Sequence, residues 1–201
     1  MSRYASRSTL IHCFMLWAET SPNTVYMTQP LADGKTLEVT WGEAANQVTR
    51  VANYLKSLNL PAGSSIGLLG RNSAHWILAD LSVWMAGHVT VPLYPTLNAE
   101  SAEYILEHSE CKLLFLGKLD GKADGWNDIK TILPDSLPLI GLPLSPRSDV
   151  TQWTDLVAQN EPLAEITLPD TSAMATIVYT SGSTGRPKGV MHSFGTMRSE
   201  E

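Results

Sequence analysis

Between Thr40 and Leu116 the chain alternates segments of helical period with short apolar runs, and no other feature of the sequence restricts its architecture as much. Thr40-Trp41-Gly42-Glu43 has the spacing of a capping box, in which a threonine hydroxyl and a glutamate carboxylate satisfy the first free N–H groups of a helix. Behind it Val48, Val51, Ala52, Leu55 and Leu58 recur at a 3.6-residue period, which predicts a helix from about Gly42 to Leu58. Leu60-Pro61-Ala62-Gly63 stops it, and the apolar run Ser65 to Gly70 reads as a buried strand. Asn72-Ser73 starts an apolar helix to Ala86, Gly87 ends it, and His88 to Leu93 supplies a second strand. Asn98 is placed to cap a helix reaching about Ser109, followed by a third strand over Lys112 to Leu116. Strand, helix, strand, helix, strand in close succession implies parallel pairing through right-handed crossovers. The expected fold is therefore α/β and layered, with largely parallel sheets flanked by helices.

The flanking segments divide the rest of the chain. Leu10, Cys13, Phe14, Trp17 and Ala18 fall at helical spacing, so residues 1–39 read as a helix and hairpin lead-in to an α/β unit over 40–116. Arg3 and Arg7 before this apolar stretch imitate a secretion signal, but His12 interrupts it and no small-x-small cleavage site follows. Leu10-Ile11-His12-Cys13 also imitates a lipoprotein acylation box, for which His12 is unsuited. Residues 117–169, rich in Pro, Gly and Asp, form an irregular connection with a weak strand near Leu137 to Gly141 and a helix near Gln152 to Gln159. Residues 170–201 hold a strand over Ala173 to Tyr179, a glycine-rich loop and the segment after it. No internal repeat is present. The apolar run Trp76 to Met85 contains Asp80 and is shorter than the roughly 20 residues a membrane span needs.

Composition narrows the function classes. Fourteen basic against twenty acidic residues give a net charge of -6, which argues against a general electrostatic grip on nucleic acid. Locally the balance reverses: from Ile177 to Ser199 the ionised side chains are Arg186, Lys188 and Arg198, a positive island suited to a small anion. Two cysteines, Cys13 and Cys111, are too few for a disulfide framework and read as reduced, packed thiols of a cytoplasmic protein.

The loop itself runs Thr180-Ser181-Gly182-Ser183-Thr184-Gly185-Arg186-Pro187-Lys188-Gly189. Its glycines allow close backbone approach to a ligand, its hydroxyls and N–H groups donate to phosphate oxygens, and Lys188 adds a full charge. A Walker A loop does not fit, because Pro187 stands where that motif wants glycine and Gly189 where it wants Ser or Thr. A Rossmann fingerprint fails too, since Gly182 and Gly185 lie three apart with no glycine at position 184. A flexible surface loop is the bland alternative on composition alone.

With its flanks, Tyr179 to His192 resembles the AMP-binding signature of the adenylate-forming superfamily, which includes acyl-CoA synthetases, peptide-synthetase adenylation domains and firefly-type luciferases. Arg71-Asn72-Ser73 with Trp76, Ala86-Gly87, Val91-Pro92-Leu93-Tyr94-Pro95-Thr96 and Tyr104-Ile105-Leu106 are similar to the long-chain acyl-CoA synthetase branch, so the likeness covers most of residues 9–192. The resemblance implies an enzyme that uses ATP and Mg2+ to turn a carboxylic acid, a long-chain fatty acid on this likeness, into an acyl-adenylate and then passes the acyl group to coenzyme A. It implies that Thr180, Ser181, Gly182, Ser183, Thr184, Gly185 and Lys188 wrap the β- and γ-phosphates, with Lys188 and Thr184 acting in catalysis, magnesium bridging phosphate oxygens and no metal ligand among these residues. It leaves Tyr179 open between a core aromatic and a ligand contact, and makes Arg186 and His192 lesser candidates.

Nothing in the sequence resembles the family's acidic Tyr-Gly-x-Thr-Glu segment, its ribose-holding aspartate, its hinge or its small C-terminal domain. The 201 residues therefore read as the incomplete N-terminal part of the fold, inactive alone. The alternative is a non-catalytic nucleotide-binding or partner-dependent module. Medium-chain, aryl and other acids stay open, as do oligomeric state and peripheral contact with a membrane.

Overall fold

The computed structural model describes residues 4, 9–32, 34–119, 124–181 and 186–198. Helix α1 (Leu10–Thr20) starts on Thr9, whose hydroxyl accepts from the His12 N–H at 3.4 Å. Strands β1 (Val25–Pro30) and β2 (Thr36–Thr40) form an antiparallel hairpin that leads directly into α2 (Trp41–Ser57). The capping box read from the sequence is formed there. The Thr40 N–H and the Thr40 hydroxyl each donate to Glu43 Oε2 at 2.9 Å and hold the Glu43 carboxyl below its ordinary range, while the Glu43 N–H donates to Thr40 Oγ1 at 3.3 Å.

The alternating elements follow as β3 (Ser65–Leu69), α3 (Ala74–Met85), β4 (Val89–Leu93), α4 (Ala99–His108) and β5 (Leu113–Leu116). Ser73 and Asn98 cap α3 and α4 through their side chains, as polar residues at such positions do. Gly87, at φ +86°, takes the left-handed turn after α3 that a residue with a Cβ resists. The less regular stretch holds α5 (Trp126–Ile132), β6 (Leu139–Gly141), β7 (Thr151–Gln152) and α6 (Trp153–Gln159). Then come β8 (Met174–Ser181), β9 (Pro187–Ser193) and a 3-10 turn over Thr196–Arg198.

Seven strands make one sheet in the order β7-β6-β5-β3-β4-β8-β9, in which every neighbouring pair is parallel except β8 with β9. The central strands are covered on both faces, so alternate residues feed two separate cores. Ile66, Leu68, Leu113 and Phe115 pack with α1, α2, α3 and α6. Leu69, Leu93, Leu114 and Leu116 pack on the other face with α4 and α5.

Strand β8 joins this scaffold through a single paired position, Thr90 with Thr176. Polar side chains reinforce the seam. Trp84 Nε1 donates to the Ala175 carbonyl at 2.8 Å, and Thr176 Oγ1 donates to the Thr90 carbonyl at 3.1 Å. Four elements were not expected from sequence: α5, β7, β9 and the 3-10 turn over Thr196–Arg198. Helix α5 has no side-chain cap at Gly125, and β9 carries Pro187 and Gly189 in place of an apolar alternation.

Candidate functional site

Because β3, β4, β5 and β8 run parallel, their carboxyl ends share one edge of the sheet, where α/β sheets present their ligand-binding crevice. The glycine-rich loop leaves β8 at Ser181 and returns at Pro187 on that edge. Of the residues singled out in it, Gly182, Ser183, Thr184 and Gly185 lie outside the described residues. For Ser181 the backbone alone is described, as the last residue of β8.

The hairpin register sets what the remaining residues can do. Thr180 pairs with Lys188 and Tyr179 with Gly189, and directly opposed residues of an antiparallel pair project to the same side. Thr180 and Lys188 are both exposed, so a hydroxyl and an ammonium group stand side by side at the base of the loop. Tyr179 projects the other way and is buried. Its hydroxyl forms a 2.8 Å hydrogen bond with His108 Nδ1 at the end of α4, and burial, then the nearby Tyr104, pushes the phenol above its usual range. The tyrosine of the motif is thus an anchor for β8. Gly189 faces it for a steric reason: a Cβ there would lie 2.9 Å from Ile177 Cγ2 and 3.2 Å from Tyr179 Cζ.

Helix α4 holds the other arm as well. The Arg186 guanidinium sits 5.5 Å from the centre of the Tyr104 ring, a cation–π distance, and Tyr104 in turn lies 5.2 Å from the His108 ring. Glu100, Glu103 and Glu107 of α4 rim the groove of about 340 Å³ that also holds Arg186. The positive island seen along the sequence therefore faces acidic groups in space, and Lys188 is the cation directed to the loop base. A cavity of about 420 Å³ lies between α4 and that base, with Thr96, Ser101, Thr180 and Pro187 among its walls and the exposed Tyr94 on it.

His192 is half-buried opposite Thr176, at the far end of the hairpin from Lys188. Ser73 caps α3, and the half-buried Trp76 packs against the core. Sequence reasoning missed Tyr104 and His108 as supports of the loop, because their partners Arg186 and Tyr179 lie far along the chain. The aromatic at position 104 and a polar ring four residues later on one helix face are the only local trace of that role. Among the described residues, no cluster of three His, Cys, Asp or Glu side chains is placed to hold a metal ion, and no helix is long and apolar enough to cross a membrane.

The family model for AMP-binding enzymes matches residues 14–200. A long-chain-fatty-acid–CoA ligase, FadD15 of Mycobacterium bovis, is 32% identical over 164 residues, covering 80% of this chain and 27% of the relative. Fatty acyl-CoA synthetase A of Dictyostelium discoideum is 32% identical over 205 residues, covering 96% of this chain and 30% of the relative. The solved acetoacetyl-CoA synthetase of Streptomyces lividans superposes with a TM-score of 0.77 at 24% identity, over 93% of this chain and 30% of that one. The chain thus spans less than a third of the length of these relatives.

Proposed function

This chain belongs to the AMP-binding enzyme family, and on that premise we propose that it carries the ATP phosphate-binding part of an acid–thiol ligase acting on a long-chain fatty acid. The observation that carries the reading is the pairing of exposed Thr180 with exposed Lys188 beneath a glycine-rich loop at the carboxyl edge of a parallel sheet. A hydroxyl donor and an ammonium side by side suit the oxygens of a triphosphate, so the donor set fits the nucleotide. In this reading Thr180, Ser181, Gly182, Ser183, Thr184, Gly185 and Lys188 wrap the β- and γ-phosphates. Mg2+ would accompany the triphosphate and offset its charge, and none of these loop residues is a carboxylate that would hold it.

The chemistry has two steps. A carboxylate oxygen attacks the α-phosphorus, and the bond to pyrophosphate breaks. The thiol of coenzyme A then attacks the acyl carbonyl, loses its proton, and AMP leaves. The first step brings two anions together, so the loop's task is to offset charge that grows on the departing pyrophosphate and to hold phosphorus in line with the carboxylate. Lys188 supplies the positive charge and Thr184 a donor in that role. A cytoplasmic setting, with peripheral contact with a membrane for a lipid acid, belongs to the same proposal.

In the complete enzyme, Lys188→Ala and Thr184→Ala each slow ATP–pyrophosphate exchange by about 10²-fold, as loss of a transition-state donor does. Exchange at the normal rate in both variants would overturn the assignment. The isolated 201 residues form no acyl-CoA, and turnover by them would refute that part.

The exposure of Val190 and Met191 on edge strand β9, at 42% and 68%, favours a second reading in which the chain is a module completed by a partner. Genomic sequence past Glu201 separates the two. An in-frame continuation with a Tyr-Gly-x-Thr-Glu segment and a late lysine supports the ligase; a stop codon supports the module.

A further inference from the structure

Helix α1 presents Leu10, Cys13, Phe14 and Trp17 along one side, as its spacing predicts, yet of these only Phe14 is buried. The four side chains instead wall a cavity of about 320 Å³ between α1, β1, α2 and α3. Aromatic rings from four elements surround it: Phe14 and Trp17 of α1, Tyr26 of β1, Trp41 of α2 and Trp84 of α3. Tyr26 stacks on Trp41 with ring centres 3.9 Å apart, Trp17 stacks on Trp41 at 5.9 Å, and Phe14 leans on both Tyr26 and Trp41 at 5.8 and 5.9 Å.

On the α3 side this wall carries a carboxylate, Asp80. Its Oδ1 is sealed from solvent and makes no hydrogen bond, a costly state for an acceptor in apolar surroundings. Burial pushes the Asp80 carboxyl up to about 7, with the Thr90 hydroxyl acting in the opposite direction. Its charge reaches the ring opposite, since the Tyr26 phenol is raised by burial and then by Asp80. Among the described residues that line the cavity there is no Lys, Arg or His; the titratable groups facing Asp80 are Cys13 from α1 and Tyr26 from β1.

A neutral apolar ligand would fill this space and leave the carboxylate unanswered, and an anion would be repelled by it. A cation answers both the carboxylate and the ring faces, whose electrostatic potential is negative. We propose that the cavity binds a small organic cation, its ammonium group paired with Asp80 and its apolar body seated among Phe14, Trp17, Tyr26 and Trp41. The volume is at the small end for ligand sites, which sets the ligand class at a single-ring or short-chain amine. Trp17 and Ile77, 47% and 41% exposed, mark the mouth. The cavity lies on the helical face opposite α4, so this inference stands apart from the reading of the phosphate loop.

Calorimetry on the full chain with 2-phenylethylammonium, 2-phenylethanol and phenylacetate tests it. The ammonium is expected to bind at least about tenfold more tightly than the alcohol at pH 8.5, as an ion pair in a desolvated site would give. Its affinity then falls about tenfold by pH 6 as Asp80 takes up a proton. Asp80→Asn brings the ammonium down to the level of the alcohol, and Cys13→Ser leaves the pH profile in place. Trp17→Ala, at the exposed mouth, weakens ammonium binding several-fold without moving the unfolding transition, so the idea can be tested even if the Asp80 variant does not fold. Equal binding of alcohol or phenylacetate, affinity indifferent to pH, ammonium binding that survives Asp80→Asn, or no ammonium binding at millimolar concentration would each overturn it.

Discussion

The β3–β4–β5 centre of the sheet and the β8–β9 hairpin are held by different means. The centre is sealed between two helical layers, with Leu68, Leu69, Leu113, Leu114, Phe115 and Leu116 fully buried. The hairpin meets the scaffold at one paired position, is fastened by hydrogen bonds from Trp84 and Thr176, and leaves Val190 and Met191 on an exposed edge. Apolar burial stabilises the scaffold, whereas directed contacts aim the strand that leads to the glycine-rich loop. Directed contacts of this kind fix the strand ends, at Thr180 and Lys188, between which the loop runs.

The sharpest test of that contrast is Phe115→Ala. Removing a ring from the sealed centre costs about 3–5 kcal/mol, read by urea unfolding of the full chain. A loss below about 1 kcal/mol would mean that the centre is no better packed than the hairpin. On the hairpin, Gly189→Ala pushes a methyl group against Ile177 and Tyr179 and is expected to cost about 1–3 kcal/mol. If it costs as much as Phe115→Ala, the hairpin is not the lightly held element described here.

This contrast also explains what could be read from the sequence. The capping box at Thr40 and Glu43, the stripe from Val48 to Leu55 and the caps at Ser73 and Asn98 are local signals, and each element they mark is present. The parallel pairing of the central strands followed, because strand–helix–strand crossovers leave little choice. Helix α5 was missed because nothing local announces it: Gly125 offers no cap and the helix is seven residues long. Strand β9 was missed because its register is set across the sheet, by Tyr179 over Gly189, and not by a pattern within Pro187–Ser193. For the candidate site, the positions of Thr180 and Lys188 were legible as a motif. Their alignment on one side of a hairpin, and the grip of Tyr104 and His108 from α4, depend on tertiary packing that no local spacing encodes.

A third test asks whether the scaffold is held by apolar burial alone. Helix α3 carries His75, which burial pushes down to about 4, and Asp80, which burial pushes up to about 7. The two act on stability with opposite sign. Asp80 has a folded-state value above its unfolded one, so its contribution is full below about pH 4 and is lost as pH rises to about 7. His75 has a depressed value, so its contribution is full above about 6.5 and is lost as pH falls toward 4. Together they flatten the pH profile of the native chain. Asp80→Asn unmasks stability that rises with pH over this window, and His75→Gln unmasks stability that falls. Burial causes both shifts, and one pKa unit corresponds to about 1.4 kcal/mol, so each change is expected to reach at least about 1 kcal/mol in unfolding experiments at pH 4.5 and 7.5. Parallel profiles in the native chain and both variants would show that neither group titrates differently on folding.

The smallest effect probes the directed contacts themselves. Tyr179→Phe keeps the ring over Gly189 and removes only the hydroxyl that meets His108, so it is expected to cost about 0.5–1.5 kcal/mol, the net worth of one hydrogen bond. The ring also touches His108 edge-on at 5.8 Å, and that contact survives the substitution. A double-mutant cycle with His108→Ala isolates the bond from this residual packing. Coupling of about 0.5 kcal/mol or more ties β8 to α4 by a directed interaction, and with it fixes the height at which Thr180 and Lys188 stand at the base of the loop. Additive effects would instead assign the anchoring of β8 to the Tyr179 ring and the Trp84 and Thr90 seam, and would release α4 from any part in aiming the loop.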